Sequence, residues 1–195
     1  MKIGVLALQG AVVEHIQMLS ALGIEAVPVR LPNELEGLDA LIIPGGESTT
    51  VSKLLVDYGL LEPIRRLAKK GFPIFGTCAG LVLLAKKVTN LKLEPIGMMD
   101  IKVMRNAFGR QVDSFETDLK IPVLHDGNFH GIFIRAPIIE KVEPGVEVLC
   151  QLNGRPVAVR QGKLLGCAFH PELTDDLRIH KYFLDIVKGE DACKK

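Results

Sequence analysis

Three short runs, Lys2–Leu8, Asp39–Ile43 and Phe72–Phe75, are almost wholly apolar, and each leads into a glycine-containing turn. A strand with one wet face alternates polar and apolar residues, whereas a continuous apolar run is buried on both faces and belongs to a parallel sheet covered by helices. The segments between the runs fit that requirement. Ala11–Leu22, Ser48–Tyr58 and Leu60–Lys70 carry apolar residues at helical spacing, with Gly23 and Gly71 as stops and Pro63 tolerated in a first turn. Glu25–Val29 reads as an edge strand, because Pro28 cannot donate to a ladder. Leu81–Lys87 reads as a short apolar helix.

The second half changes character. Ile101–Met104, Gln111–Thr117, Phe129–Arg135, Val146–Leu152, Pro156–Arg160 and Lys163–Phe169 are short strand-like runs, with a hairpin turn at Asn153-Gly154. A last amphipathic helix is expected over Asp175–Val187, followed by a fraying tail over about 189–195. Alternating βα units followed by a meander predict an α/β sandwich with a mixed sheet, formed as one domain over 1–195.

Composition narrows the partners. Lys and Arg total 24 against 23 Asp and Glu, and no basic run tracks a phosphate backbone, so nucleic acid is not expected. Apolar stretches end far short of the ~20 residues that span a bilayer, which argues against a membrane partner. Met1-Lys2 runs straight into the first strand without the pattern of a secretion signal, and the expected location is the cytoplasm. The cysteines, Cys78, Cys150, Cys167 and Cys193, offer no C-x-x-C pair for zinc or dithiol chemistry. Lone cysteines in a reducing compartment are ordinarily small buried hydrophobes, so a reactive one must be marked by its surroundings.

Cys78 is so marked. Gly76-Thr77-Cys78-Ala79-Gly80 follows an apolar strand and precedes a helix, the arrangement of a nucleophile elbow, in which small neighbours permit a sharp turn and the helix N-terminus favours an anion. The Ala79 N–H is a candidate oxyanion donor. The plainer reading makes Cys78 a core thiol between packing glycines. A nucleophile needs a base and an orienting group. Of the five histidines, His15 and His180 fall within helices as surface or boundary residues, and His125 and His130 lie near the Asp126-Gly127-Asn128 turn. His170 ends an apolar strand, and Pro171 biases it toward extended geometry, so that Glu172 can project from the same side and fix its tautomer. Pro44-Gly45-Gly46-Glu47-Ser48 ends another apolar strand; Ser48 is a natural helix N-cap, and the glycines allow close approach to backbone N–H groups. Arg105 and Arg135 can each pair bidentately with a carboxylate.

These segments together resemble the class I (triad-type) glutamine amidotransferase family. Gly4–Gly10, Pro44–Thr50, Gly76–Gly80, Arg105–Gln111 with Ser114-Phe115-Glu116, and Phe169–Glu172 match that family's branch serving pyridoxal 5'-phosphate synthesis. Many class I members carry a glutamine four residues after the elbow cysteine; here Val82 stands there, and an apolar residue at that position fits that branch. The resemblance implies a three-layer, flavodoxin-like α/β sandwich with a mostly parallel, mixed central sheet. It implies a glutaminase that needs no cofactor or metal, with Cys78, His170 and Glu172 as triad. Gly46, Glu47, Ser48, Arg105, Ile134 and Arg135 would bind L-glutamine, and Gly46 and Ala79 would form the oxyanion hole. It also implies a large hetero-oligomer with a synthase subunit that receives the ammonia, and activation when that partner orders the region around Gly45-Gly46 and Gln9-Gly10. The alternatives are the glutaminase subunit of imidazole glycerol phosphate synthase, another cysteine hydrolase of this architecture, and a noncatalytic interaction module.

Overall fold

The computed structural model describes residues 1–89, 94–105 and 114–190. Its centre is a seven-stranded sheet. Strands β1 (Lys2–Leu6), β2 (Glu25–Val29), β3 (Ala40–Ile43) and β4 (Ile74–Thr77) alternate with helices α1 (Val12–Ala21), α2 (Ser48–Asp57) and α3 (Leu61–Lys69). After α4 (Ala79–Leu84) come β5 (Ala85–Thr89), β6 (Met99–Met104), β7 (Ser114–Leu119), β8 (Phe129–Ile134) and β9 (Ile138–Val142). Strands β10 (Glu147–Leu152), β11 (Arg155–Gln161) and β12 (Leu164–Cys167) precede the last helix, α5 (Arg178–Lys188).

The central sheet has the order β10-β11-β12-β4-β3-β1-β2, with β2, β1, β3, β4 and β12 parallel and the β10-β11-β12 end antiparallel. From β1 the chain steps outward to β2 through α1, then returns past β1 to β3 and steps the other way to β4 through α2 and α3. Right-handed crossovers in opposite directions place their helices on opposite faces, which makes three layers. Every residue of β3, β4 and β12 is buried, as the unbroken apolar runs require. Pro28 sits opposite Val5 on β2, whose other side pairs with no strand among the described residues, so its missing donor costs no ladder bond. β7 and β8 form a separate hairpin, tied to the main core where Phe133 stacks on Phe115 and packs against Phe169.

Two expectations are corrected here. The apolar run Leu81–Lys87 is not one helix: α4 stops at Leu84, Ala85 is extended, and Ala85–Thr89 pairs with β6 as a strand. A short apolar run does not distinguish buried helix from buried strand. Strand β9 was not anticipated. The expected strand beginning at Gln111 starts, within the described residues, at Ser114; 111–113 lie outside them, as do Asn106–Gln111, Cys193 and the tail from 191.

Among the described residues, no helix is long and apolar enough to cross a membrane.

Candidate active site

Four neighbouring parallel strands deliver the site from their C-terminal ends, flanking the point where the chain reverses its direction of travel across the sheet. β1 leads to Gln9, β3 to Gly45-Gly46, β4 to Cys78 and β12 to His170.

Cys78 occupies the turn between β4 and α4 at φ 47°, ψ −99°, a left-handed conformation that costs a non-glycine residue about 1–3 kcal/mol. The surroundings hold it there. Its N–H donates to Cys167 O at 2.8 Å, and its C=O accepts from Val82 N at 3.2 Å. The turn closes because Gly80 lacks a side chain: a Cβ there would stand 2.1 Å from Ile43 O. Gly45 is the second obligatory glycine. A Cβ on it would lie 2.3 Å from His170 Cε1 and 3.4 Å from Cys78 Cβ, so the two reacting side chains occupy the space a larger residue would need.

His170 is buried beside Cys78, and its Nδ1 meets Glu172 Oε1 at 2.8 Å. Nε2 is therefore the nitrogen left for sulfur. Burial by itself would lower the His170 pKa, but the contacts with Cys78 and the Glu172 carboxylate outweigh it and raise the pKa to about 10. The His–Glu contact arises differently from the extended geometry expected of the sequence. His170 is followed by a single 3₁₀ turn, Pro171–Leu173, and that turn swings Glu172 back beneath the imidazole.

β8 supplies the facing wall. The Ile132 carbonyl accepts the His170 N–H at 2.8 Å, the Ile134 carbonyl lies 3.8 Å from Cys78 Sγ, and Arg135 turns away at φ 43°. A cavity of about 140 Å³ opens between these parts. Gly46, Glu47, Ser48, Arg105, Ile134 and Arg135 all line it with Cys78, Ala79 and His170, while Glu172 stands behind His170. Gln9, Val82 and Pro137 line it too and were not among the expected site residues.

The α2 N-cap is Glu47, not Ser48. The Glu47 carboxylate accepts from the N–H groups and hydroxyls of Thr49 and Thr50. Burial would raise its pKa, yet those hydrogen bonds hold it down at about 2, so Glu47 is an anion in the cavity wall. Arg105 Nη2 pairs with it at 2.5 Å. Ser48 follows as the first helical residue, its Oγ buried without a hydrogen-bond partner among the described residues. The Gln9 side chain accepts the Glu47 N–H at 2.7 Å and the Ala11 N–H donates to Gly45 O at 3.1 Å, which fixes the glycine loop against the end of β1.

The sequence profile of the SNO glutamine amidotransferase family matches residues 5–189. The chain belongs to that family. It is 59% identical over 187 residues to the pyridoxal 5'-phosphate synthase subunit PdxT of Moorella thermoacetica, covering 96% of this chain and all of the relative. With the PdxT subunit of Geobacillus kaustophilus it shares 57% identity over 188 residues, 96% of this chain and 95% of that one. A crystal structure of a glutamine amidotransferase, 52% identical, superposes with a TM-score of 0.91 over 95% of this chain and 98% of the other. The structure of PurLQS from Thermotoga maritima, 18% identical with a TM-score of 0.69, shares the fold.

Two buried histidines complete the picture. His15 and His180, expected at the surface or its boundary, are fully buried behind the triad. Each lies on the apolar stripe of its helix, His15 with Val12, Leu19 and Leu22 and His180 with Phe183, Leu184 and Val187; that spacing was the available signal. Cys150 and Cys167 are buried thiols as expected. Among the described residues, no group of three or more His, Cys, Asp or Glu side chains is arranged to hold a metal ion.

Proposed function

We propose that this chain is the glutaminase subunit of a pyridoxal 5'-phosphate synthase, releasing ammonia from L-glutamine at Cys78 for a separate synthase subunit. The observation that carries the reading is Cys78 on its left-handed turn, backed by His170 and Glu172 and facing a cavity lined by Glu47, Arg105 and Arg135. The full-length likeness to PdxT subunits supports the choice of acceptor.

The residues divide the work by charge. Glu47 matches the α-ammonium of glutamine, and Arg105 and Arg135 match its α-carboxylate. Gly46 and Ser48 border the substrate, with Ile134 packing on its aliphatic part. The proton shared by Cys78 and His170 rests on the imidazole as the Cys78 sulfur attacks the side-chain amide carbon. The carbonyl oxygen becomes an oxyanion held by the N–H groups of Gly46 and Ala79. Collapse of the tetrahedral intermediate breaks the C–N bond, His170 returns the proton to the leaving nitrogen, and ammonia departs. Water, deprotonated by His170, then attacks the γ-glutamyl thioester; glutamate leaves and the Cys78–His170 pair is restored. Glu172 keeps the imidazole oriented and stabilises its charged form throughout.

The domain spans 1–195 and works in the cytoplasm within a large hetero-oligomer, without nucleic acid or membrane. The isolated chain is held back at the loop Gln9 clamps, and docking of the synthase subunit frees Gly46 for the oxyanion. The test is glutamate release with and without the synthase subunit. The reading expects strong stimulation by the partner and glutamine-dependent pyridoxal phosphate formation; no release in either case would refute it.

A further inference from the structure

Behind the triad lies a buried polar chain that takes no part in the proton transfers of the proposed reaction. His15 Nδ1 and His180 Nε2 are 2.9 Å apart, and His15 Nε2 is 3.2 Å from Thr77 Oγ1 and 3.5 Å from Glu172 Oε2. Thr77 Oγ1 also accepts the Gly45 N–H at 2.9 Å. Glu172 Oε2 and His180 Nδ1 are buried with no hydrogen-bond partner among the described residues. An imidazole on α1 thus touches the orienting carboxylate of the triad and, through Thr77, the glycine loop.

We propose that His15 is a positioning residue of the glutaminase reaction: held by His180, it presents its Nε2–H to both Glu172 and Thr77 and so fixes the triad and the Gly45 loop together. The inference rests on the glutaminase reading and deepens it.

The tautomer follows from counting protons. With hydrogen on Nε2 of both rings, His180 donates to His15 Nδ1, and the His15 N–H donates to Thr77 Oγ1 while its positive end faces Glu172 Oε2 at 3.5 Å. The bare ring nitrogen His180 Nδ1 and the Thr77 hydroxyl hydrogen are left over, and neither carries charge. The opposite tautomer would strand an N–H at that nitrogen and turn a lone pair of His15 toward the buried charge of the Glu172 carboxylate. Charge state agrees. Burial first, then the neighbouring charges of His180 and His170, push the His15 pKa well below its ordinary value, and burial lowers that of His180 to about 4. His15 thus offers Glu172 a dipole, and the positive charge of the cycle stays on His170. The titratable groups facing His15 are His180, His170 and Glu172, and Cys167 lies close enough to Glu172 and Cys78 to feel their charge.

The test uses the chain assembled with its synthase subunit. His15→Leu removes the donor while keeping an apolar core; kcat for glutamine hydrolysis is expected to fall about 10- to 100-fold, the usual cost of losing an outer-shell partner, with KM within about twofold. The triad loses the N–H dipole that faces it from α1, so the acidic limb of the kcat profile is expected to move to higher pH. His15→Gln places an amide N–H near the lost Nε2 and is expected to recover most of kcat and return the limb. Equal losses in both variants, or an unmoved limb in His15→Leu, would overturn the proposal. Should His15→Leu fail to fold, nitrogen NMR of labelled wild-type protein decides: a neutral His15 with its proton on Nε2 at pH 7 supports it, and a proton on Nδ1 or on both nitrogens refutes it. That measurement needs no turnover, so it stands apart from a failure of wild-type glutamate release, which would count against the proposed function alone.

Discussion

Cys78 and Cys167 sit at the ends of adjacent strands, with Cys167 opposite Thr77 in the ladder and its carbonyl accepting the Cys78 N–H. Both thiols are buried. What separates them is one residue of chain direction. Cys167 ends a regular strand and turns its thiol into the core, where it donates to Phe169 O at 3.3 Å; burial, then the charges of Glu172 and Cys78, push its pKa well up. Cys78 lies one position beyond β4, in a left-handed turn that aims sulfur at the cavity and at His170. Reactivity here is a property of backbone geometry, and residue type or depth of burial does not predict it.

Substitution tests that contrast from its strongest side. Cys78→Ser is expected to lower glutamate release by the assembled enzyme about 10⁴-fold or more with the fold intact by circular dichroism, as removal of a nucleophile does. Residual activity within tenfold of wild type would place the nucleophile elsewhere. Glu172→Gln keeps the shape but donates where the imidazole must donate, and kcat is expected to drop about 10²- to 10⁴-fold with KM little changed.

The third prediction concerns stability. The His170 pKa is raised in the folded chain to about 10 from an ordinary 6.5, so its contribution is complete below pH 6.5 and disappears as pH rises through 10. Thermal melting between pH 6.5 and 10 should therefore fall more steeply for wild type than for His170→Asn; parallel curves would contradict the assignment. The smallest effect belongs to the other cysteine. Cys167→Ala should cost about 1–2 kcal/mol in urea unfolding through the void it leaves, with kcat within about threefold of wild type.

Much of this was legible from residues close in sequence. The apolar runs of β1, β3 and β4 announced a parallel sheet, and Asn153-Gly154 announced its hairpin, where both residues take positive φ. Cys78 was legible because the constraint is local: an elbow needs its small neighbours in place along the chain. His170-Pro171-Glu172 was legible as a pair, although the 3₁₀ turn that joins the two side chains was not. The roles of His15 and His180 were hidden for a different reason. They are 165 positions apart, and only the packing of α1 and α5 around the end of β4 brings them together. Ser48 was mistaken for the cap because Glu47 also caps α2, and the Thr49 and Thr50 hydroxyls make the longer side chain the better acceptor.

The central claim is that one thiol of this chain, Cys78, is the nucleophile toward glutamine. The direct measurement is covalent labelling of the assembled enzyme with a glutamine-analogue electrophile, read by peptide mass spectrometry. A single adduct on Cys78, blocked by excess glutamine and absent in Cys78→Ser, is the predicted result. Labelling of Cys167 or Cys150 instead, or no adduct in the presence of the synthase subunit, would contradict it.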